Sequence, residues 1–199
     1  MCGWLCSTRG GCDYLQWVPL GCLLVEECTL SVYIASTAKV NGNARVGGNA
    51  HVNDHAVLRN DAYVGGDAQI SEHSVVGENV CVIDKAHVLG NAMVRGNALI
   101  RGNAEVSGNA LVVGHAEVHG NAKVTGHAIV GGHAVVEGNA QVSDYAEIGG
   151  YAHILGYAKV KGHATVGGNA QVLKDSTLEG DVSILEGRLM KIYWWRDIP

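Results

Sequence analysis

The chain has 199 residues, a formal net charge of −5, 28 glycines, two prolines and no phenylalanine. This length fits one ordinary domain or one elongated repeat array, and the negative charge gives no electrostatic basis for binding nucleic acid or an anionic membrane. High glycine content without proline argues against a disordered linker, and the absence of phenylalanine argues against a wide globular core. A narrow interior filled by small and aliphatic side chains is therefore predicted.

Residues 1–31 do not follow the pattern of the rest of the chain, and we predict that they form an N-terminal cap. Five of the six cysteines lie in the first 28 residues, but no Cys-x-x-Cys pair occurs. A zinc site is therefore not favoured, and reduced thiols in the cytoplasm are the prediction. The apolar stretch over 14–34 is interrupted by one proline and two glutamates, which argues against a membrane span.

Residues 32–184 repeat one six-residue phrase with no insertion. A small residue occupies every sixth position from Ala38, and 21 of the first 23 such positions are alanine. Two residues after each small residue comes an aliphatic one, and 25 in succession are valine, isoleucine or leucine. The order small-x-aliphatic puts two side chains on one side of a strand. The Gly-Asn and Gly-His pairs that follow are turn residues.

Each hexad is thus a very short strand and a bend, so three hexads close a triangular coil of 18 residues. Successive coils stack as parallel strands at ~4.8 Å, and the array has room for about 8–9 coils, a prism roughly 40 Å long by that spacing. Residues 185–199 leave the repeat and are strongly apolar. We predict that they form a C-terminal cap, with a partner-binding tail as the alternative.

The segment over 76–82 reads Val-Gly-Glu-Asn-Val-Cys-Val and resembles the bacterial transferase hexapeptide repeat. The Gly-Asn-Ala-x-Val hexads resemble the Ydc-type relatives of that family. The resemblance covers the whole repeat array and implies an all-β, left-handed parallel β-helix, which is usually trimeric in the enzymes. Handedness follows from the resemblance alone, because the general crossover rule favours right-handed connections.

Positions 18 apart lie above one another in such a prism, so the outward mid-strand residues form three columns. One column is polar and another is mixed. The third contains five consecutive apolar residues: Val57, Val75, Met93, Leu111 and Ile129. An exposed stripe of this length needs a cover. We predict a subunit interface in a homo-oligomer, for which a trimer agrees with the resemblance. The alternative is that the head or tail of the same chain covers the stripe.

Six of the ten histidines occupy the bend position that asparagine holds elsewhere. Two pairs are predicted to stack on adjacent coils, His55 with His73 and His115 with His133. Stacked imidazoles with a third ligand from a neighbouring chain would suit zinc. A slot that also accepts asparagine, aspartate and tyrosine indicates bend geometry more strongly, and no metal site is predicted.

Two functions follow from these observations. The unbroken register favours a structural or binding scaffold with no cofactor. The resemblance implies the alternative, a transferase that uses acetyl-CoA or another acyl-CoA, with its active site between subunits and a histidine as general base. His119 is the one histidine outside both the bend position that asparagine holds and the mid-strand position, and it is close to His115 in the sequence. The candidate catalytic residues are therefore His115, His119 and His133.

Overall fold

The structure, a computed structural model, describes residues 31–189, which form 27 two-residue strands with no helix among them. The first nine strands are β1 Tyr33–Ile34, β2 Lys39–Val40, β3 Arg45–Val46, β4 His51–Val52, β5 Val57–Leu58, β6 Tyr63–Val64, β7 Gln69–Ile70, β8 Val75–Val76 and β9 Cys81–Val82. The next nine are β10 His87–Val88, β11 Met93–Val94, β12 Leu99–Ile100, β13 Glu105–Val106, β14 Leu111–Val112, β15 Glu117–Val118, β16 Lys123–Val124, β17 Ile129–Val130 and β18 Val135–Val136. The last nine are β19 Gln141–Val142, β20 Glu147–Ile148, β21 His153–Ile154, β22 Lys159–Val160, β23 Thr165–Val166, β24 Gln171–Val172, β25 Thr177–Leu178, β26 Ser183–Ile184 and β27 Arg188–Leu189.

Each strand pairs in parallel with the strand three places later in the chain, which gives three nine-stranded sheets that begin with β1, β2 and β3. We call their outer surfaces face A, face B and face C, in that order. Partners across a sheet are 18 residues apart from β1 to β26, as in Met93 opposite Leu111 and Leu111 opposite Ile129. The predicted left-handed parallel β-helix of 18-residue coils is confirmed.

The interior consists of the small and aliphatic positions of the repeat. Ala104 and Val106 are fully buried, as are most of their equivalents on the other coils. Where serine replaces alanine, its hydroxyl finds a backbone acceptor: Oγ of Ser74 donates to the carbonyl of Ser71 at 2.7 Å. A buried hydroxyl without such a partner would be costly. The short repeat therefore accepts an occasional polar residue inside a core of alanine and valine.

The bends explain why glycine precedes the corner residue in most hexads. Gly108 has a φ of +71°, and a Cβ added to it would come within 2.9 Å of the Gly126 backbone nitrogen on the next coil. Some coils use aspartate instead, as at Asp84, whose φ is +62°. The Asp84 carboxylate accepts a hydrogen bond from the Gly102 nitrogen at 2.9 Å. This bond supports a left-handed conformation that most side chains disfavour.

The last strand, Arg188–Leu189, follows its predecessor after five residues instead of six and pairs with Gln171–Val172. It lies in the segment assigned above to the C-terminal cap. The rest of both predicted caps, residues 1–30 and 190–199, lies outside the described residues. Within residues 31–189, no helix has the length and apolar character needed to cross a membrane.

Candidate functional site

The last bend residue of each hexad lies at a corner of the prism, and these residues form ladders along the corners. Nδ2 of Asn103 donates a hydrogen bond to Oδ1 of Asn121 at 3.0 Å, and Nδ2 of Asn121 donates to Oδ1 of Asn139 at 3.2 Å. At another corner, Asn79 donates to Asn97 at 3.1 Å. The corner position therefore places amide on amide at ordinary hydrogen-bond distance.

Ring side chains in the corner position stack in the same way. The ring centres of His115 and His133 are 4.8 Å apart with planes 1° from parallel, and Tyr151 continues that ladder 4.8 Å from His133. His55 and His73 stack at 5.1 Å. The two predicted histidine stacks are thus confirmed. They belong to a pattern in which rings lie on rings as amides lie on amides.

The stacked histidines do not converge on a common point. Parallel rings 4.8 Å apart keep equivalent nitrogens at about that distance, whereas two zinc–nitrogen bonds of ~2.0–2.1 Å span at most ~4.2 Å. Among residues 31–189, no three histidine, cysteine, aspartate or glutamate side chains come together in a way that could hold a metal ion. The stacks are therefore built as corner ladders.

His119 has a different environment from the corner histidines. It follows strand β15 as the first bend residue, and its Nε2 lies 3.2 Å from Oε2 of Glu137 on the next coil. The His119 side chain is 16% exposed and that of Glu137 is 42% exposed. The contact places a carboxylate oxygen against one ring nitrogen, an arrangement that can fix the orientation of the imidazole.

The structure separates the three predicted catalytic histidines into two groups. His115 and His133 form a corner ladder between face B and face C. His119 lies four residues from His115, at the opposite end of β15, a distance of ~13 Å by the rise of an extended strand. It pairs with Glu137 instead. Any chemistry at His119 therefore uses groups on face C near the corner with face A.

Sequence reasoning missed Glu137, although the spacing could have found it. Residues 18 apart stack in this prism, and Glu137 is 18 residues after His119. The mid-strand and corner columns do not include the first bend position. Lys161 and Glu179 occupy that position on later coils and meet at 2.9 Å. Residues in the first bend position therefore also stack on successive coils, and in these two pairs the stacking brings opposite charges into contact.

Cys81, the one cysteine among residues 31–189, is a poor nucleophile. Its thiol is half-buried on face C, and burial raises its pKa, with the carboxylate of Asp84 acting in the same direction. The reactive form of cysteine is the thiolate, so both effects reduce reactivity near neutral pH. This leaves the pair His119–Glu137 as the acid–base candidate in the described part of the chain.

The predicted apolar stripe lies on face B as expected. Its members face one another in successive strand pairs, from Val57 opposite Val75 to Leu111 opposite Ile129. Four are half-buried by their neighbours, and Ile129 is 36% exposed. The stripe ends at Lys39 on one side and Glu147 on the other. Its role as an interface stays a prediction.

Comparison with known proteins shows the architecture. No protein-family model and no curated protein matches the chain. Among solved structures, the chain is similar to the UDP-N-acetylglucosamine acyltransferase of Campylobacter jejuni, with 18% identity over 76% of this chain and 67% of that one, at a TM-score of 0.59. It is also similar to LpxA of Acinetobacter baumannii, at 16% identity over 74% and 65% of the two chains and a TM-score of 0.51.

A third structure with the same architecture is the UDP-N-acetylglucosamine O-acyltransferase of Moraxella catarrhalis. The identity is 15%, the coverage is 74% of this chain and 65% of that chain, and the TM-score is 0.50. The chain thus spans about two thirds of the length of these proteins. At these identities the likeness shows a shared fold.

Proposed function

We propose that the protein is an acyltransferase of the hexapeptide-repeat type, which transfers an acyl group from coenzyme A to a hydroxyl or amine. The observation that carries the proposal is the contact between His119 Nε2 and Glu137 Oε2 at 3.2 Å. The acyltransferase names of the structures with the same fold support it. The acyltransferase is thus placed ahead of the scaffold that the unbroken register favoured, because a scaffold needs no imidazole paired with a carboxylate.

In the proposed reaction, His119 takes the proton from the acceptor hydroxyl or amine as the acceptor attacks the thioester carbonyl. The new bond joins the acceptor to the acyl carbon, the carbon–sulfur bond breaks, and coenzyme A leaves as a thiolate that takes up the proton. Glu137 holds the ring in place and stabilises the imidazolium formed during transfer, as the carboxylate of a catalytic triad does. The corner histidines His115 and His133 have no carboxylate within salt-bridge distance in residues 31–189.

The proposal takes the active unit to be a homo-oligomer with the site at a subunit boundary. A smooth prism has no inserted loop between Tyr33 and Ile184 to enclose an acceptor, and enclosed ligand sites are concave. A trimer is the form that the resemblance to hexapeptide-repeat enzymes implies. As part of the same proposal, we place the protein among the Ydc-type relatives and in the cytoplasm.

The test is release of free thiol from acetyl-CoA by the full chain. UDP-N-acetylglucosamine is the first acceptor, because it is named for the similar structures, followed by simple amines and sugars. We expect thiol release above buffer that saturates with acetyl-CoA. No release with any acceptor, together with no acetyl-CoA binding at millimolar ligand by calorimetry, would overturn the proposal.

A scaffold is the second candidate, and one observation favours it specifically. The strands from β1 to β26 recur every six residues with no inserted loop, whereas enzymes of the family that the chain resembles generally interrupt the helix to wall the acceptor site. A scaffold predicts that replacing His119 changes no activity and that face B alone determines association.

A further inference from the structure

We propose that face B binds face B of a second copy of this chain, with the two prisms antiparallel, to form a twofold dimer. The inference goes beyond the proposed function and does not depend on acyl transfer. Its basis is the order of side chains in the mid-strand column of face B, from Lys39 to Glu147.

The column is self-complementary when one copy is reversed about Met93. Met93 then faces the Met93 of the second copy, Val75 faces Leu111, and Val57 faces Ile129. Beyond these apolar pairs, Lys39 of each copy faces Glu147 of the other, so both ends of the interface carry an attractive ion pair. A symmetric dimer needs a surface that is complementary to itself in this sense.

A parallel twofold arrangement does not have this property. It would place each residue of the column opposite its own copy, so Lys39 would face Lys39 and Glu147 would face Glu147. Like charges placed together across an interface are unfavourable. The two charged residues at the ends of the column therefore select the antiparallel orientation, while the apolar residues between them are compatible with both.

The shape of the prism excludes a flush threefold contact on this face. A flat face lies flush against its own copy only when the two outward normals point in opposite directions. This requires a rotation of about 180°, as in a twofold dimer. A threefold rotation leaves flat faces inclined by about 60°. The stripe on face B is therefore assigned to a twofold contact, and a threefold contact of the kind that the resemblance implies would have to lie elsewhere on the prism, nearer to His119.

The size of the face suits a reversible dimer. Seven coils at ~4.8 Å and a width of about 15 Å give a footprint of roughly 500 Å² on each partner. The total of about 1,000 Å² is at the lower end for a specific interface. Arg95 also meets its own copy at the edge of the contact, but it is exposed and stays in water. We therefore expect a dissociation constant on the order of micromolar.

Sedimentation equilibrium of the full chain tests the proposal. We expect the mass to double reversibly as the concentration rises, and we expect Met93→Glu, whose introduced charges face each other at the centre, to abolish this doubling. Val135→Glu is the matched control, because Val135 is a half-buried mid-strand residue on face C. It should leave the dimer intact. A wild-type mass that does not change with concentration, or a doubling that persists in Met93→Glu, would overturn the proposal.

A charge exchange tests the orientation without altering the apolar column. Lys39→Glu and Glu147→Lys should each weaken the dimer about tenfold or more, since each creates two like-charge contacts. The double exchange should restore the wild-type constant within about threefold, because it rebuilds both ion pairs. Failure of rescue would contradict the antiparallel register. Thiol release measured on the same samples separates failure of the dimer from failure of the proposed enzyme.

Discussion

His119 and Glu137 lie one above the other on successive coils, with 3.2 Å between Nε2 and Oε2. The 18-residue coil places them there, because both occupy the first bend position on the same corner of the prism. Their contact is the one place in residues 31–189 where a histidine meets a carboxylate at salt-bridge distance. It therefore identifies where an acid–base function would lie on this uniform surface.

Replacing Glu137 with glutamine tests its role as a positioning residue. The change keeps the size of the side chain but removes the charge that stabilises the imidazolium, so we expect kcat for thiol release to fall about tenfold or more with little change in KM. Glu117→Gln is the control, because Glu117 lies on the same face but does not contact His119. Equal kinetics for the two variants would contradict the assigned role.

Three glycine-to-alanine variants separate the causes of glycine usage in the bends. Gly108 has a positive φ and a crowded Cβ position, Gly180 has a φ of +85° but open space around it, and Gly149 has open space and no positive φ. We expect Gly180→Ala to cost about 1–2 kcal/mol from the left-handed backbone alone. Gly108→Ala should cost more, because the backbone of the next coil must also shift.

The same series has an internal control. Gly149→Ala should be neutral, or stabilise by up to about 1 kcal/mol through a lower entropy of the unfolded chain. Urea unfolding followed by circular dichroism measures all three variants. Similar costs for Gly108→Ala and Gly149→Ala would show that neither the dihedral angle nor the contact with the next coil constrains the bend.

The amide ladder should contribute measurably to stability. Asn121 donates to Asn139 and accepts from Asn103, so Asn121→Leu removes two hydrogen bonds. Because these groups are exposed and water can replace the bonds, we expect a loss of about 1 kcal/mol in the free energy of unfolding. Asn169→Leu is a suitable control, since the structure gives the Asn169 side chain no hydrogen bond within residues 31–189. A larger loss in that control would contradict the ladder's contribution.

Acid should weaken the protein partly through Glu105 on face A. The hydrogen bond from Lys123, at 3.0 Å, holds the pKa of the Glu105 carboxyl below its ordinary value, and a bond from Ser107 acts in the same direction. A lowered folded-state pKa stabilises the protein above the unfolded-state value, and this contribution is lost as the pH falls through the folded-state pKa.

Glu105→Gln should therefore flatten the decline of unfolding free energy below about pH 4.5, by at most ~1 kcal/mol because Lys123 is exposed and Glu105 is half-buried, so water screens the pair. Chemical unfolding at several pH values between neutral and acid measures this difference. An unchanged acid slope in the variant would show that the ion pair on face A makes no net contribution.

The sequence was sufficient to predict most of the fold, because one physical constraint recurs in every hexad. A small and an aliphatic residue with one residue between them specify the inward side of each strand, and this phase never shifts before Ile184. The stacking of His115 on His133 followed from the same phase. The final strand was not predicted, because the bend before Arg188 is one residue shorter and breaks the six-residue phase of the repeat.

The site was harder to predict than the fold. Corner and mid-strand residues follow a pattern in each column, but the first bend position holds many different residue types, so Glu137 does not stand out in the sequence. Its orientation toward His119 depends on side-chain geometry across two coils, which the one-dimensional pattern does not specify. The self-complementary order on face B is present in the sequence, yet it has meaning only once the faces are known to be flat.

The most direct test of acyl transfer at face C compares two histidine variants in the thiol-release assay. His119→Gln removes the imidazole that is paired with Glu137. His115→Gln is the control, because it removes an exposed corner imidazole that has no carboxylate partner within residues 31–189. We expect kcat/KM to fall about 10²- to 10⁴-fold in His119→Gln, the range for loss of a general base, and to change less than about threefold in His115→Gln. Wild-type activity in His119→Gln, or its loss in His115→Gln alone, would contradict the account.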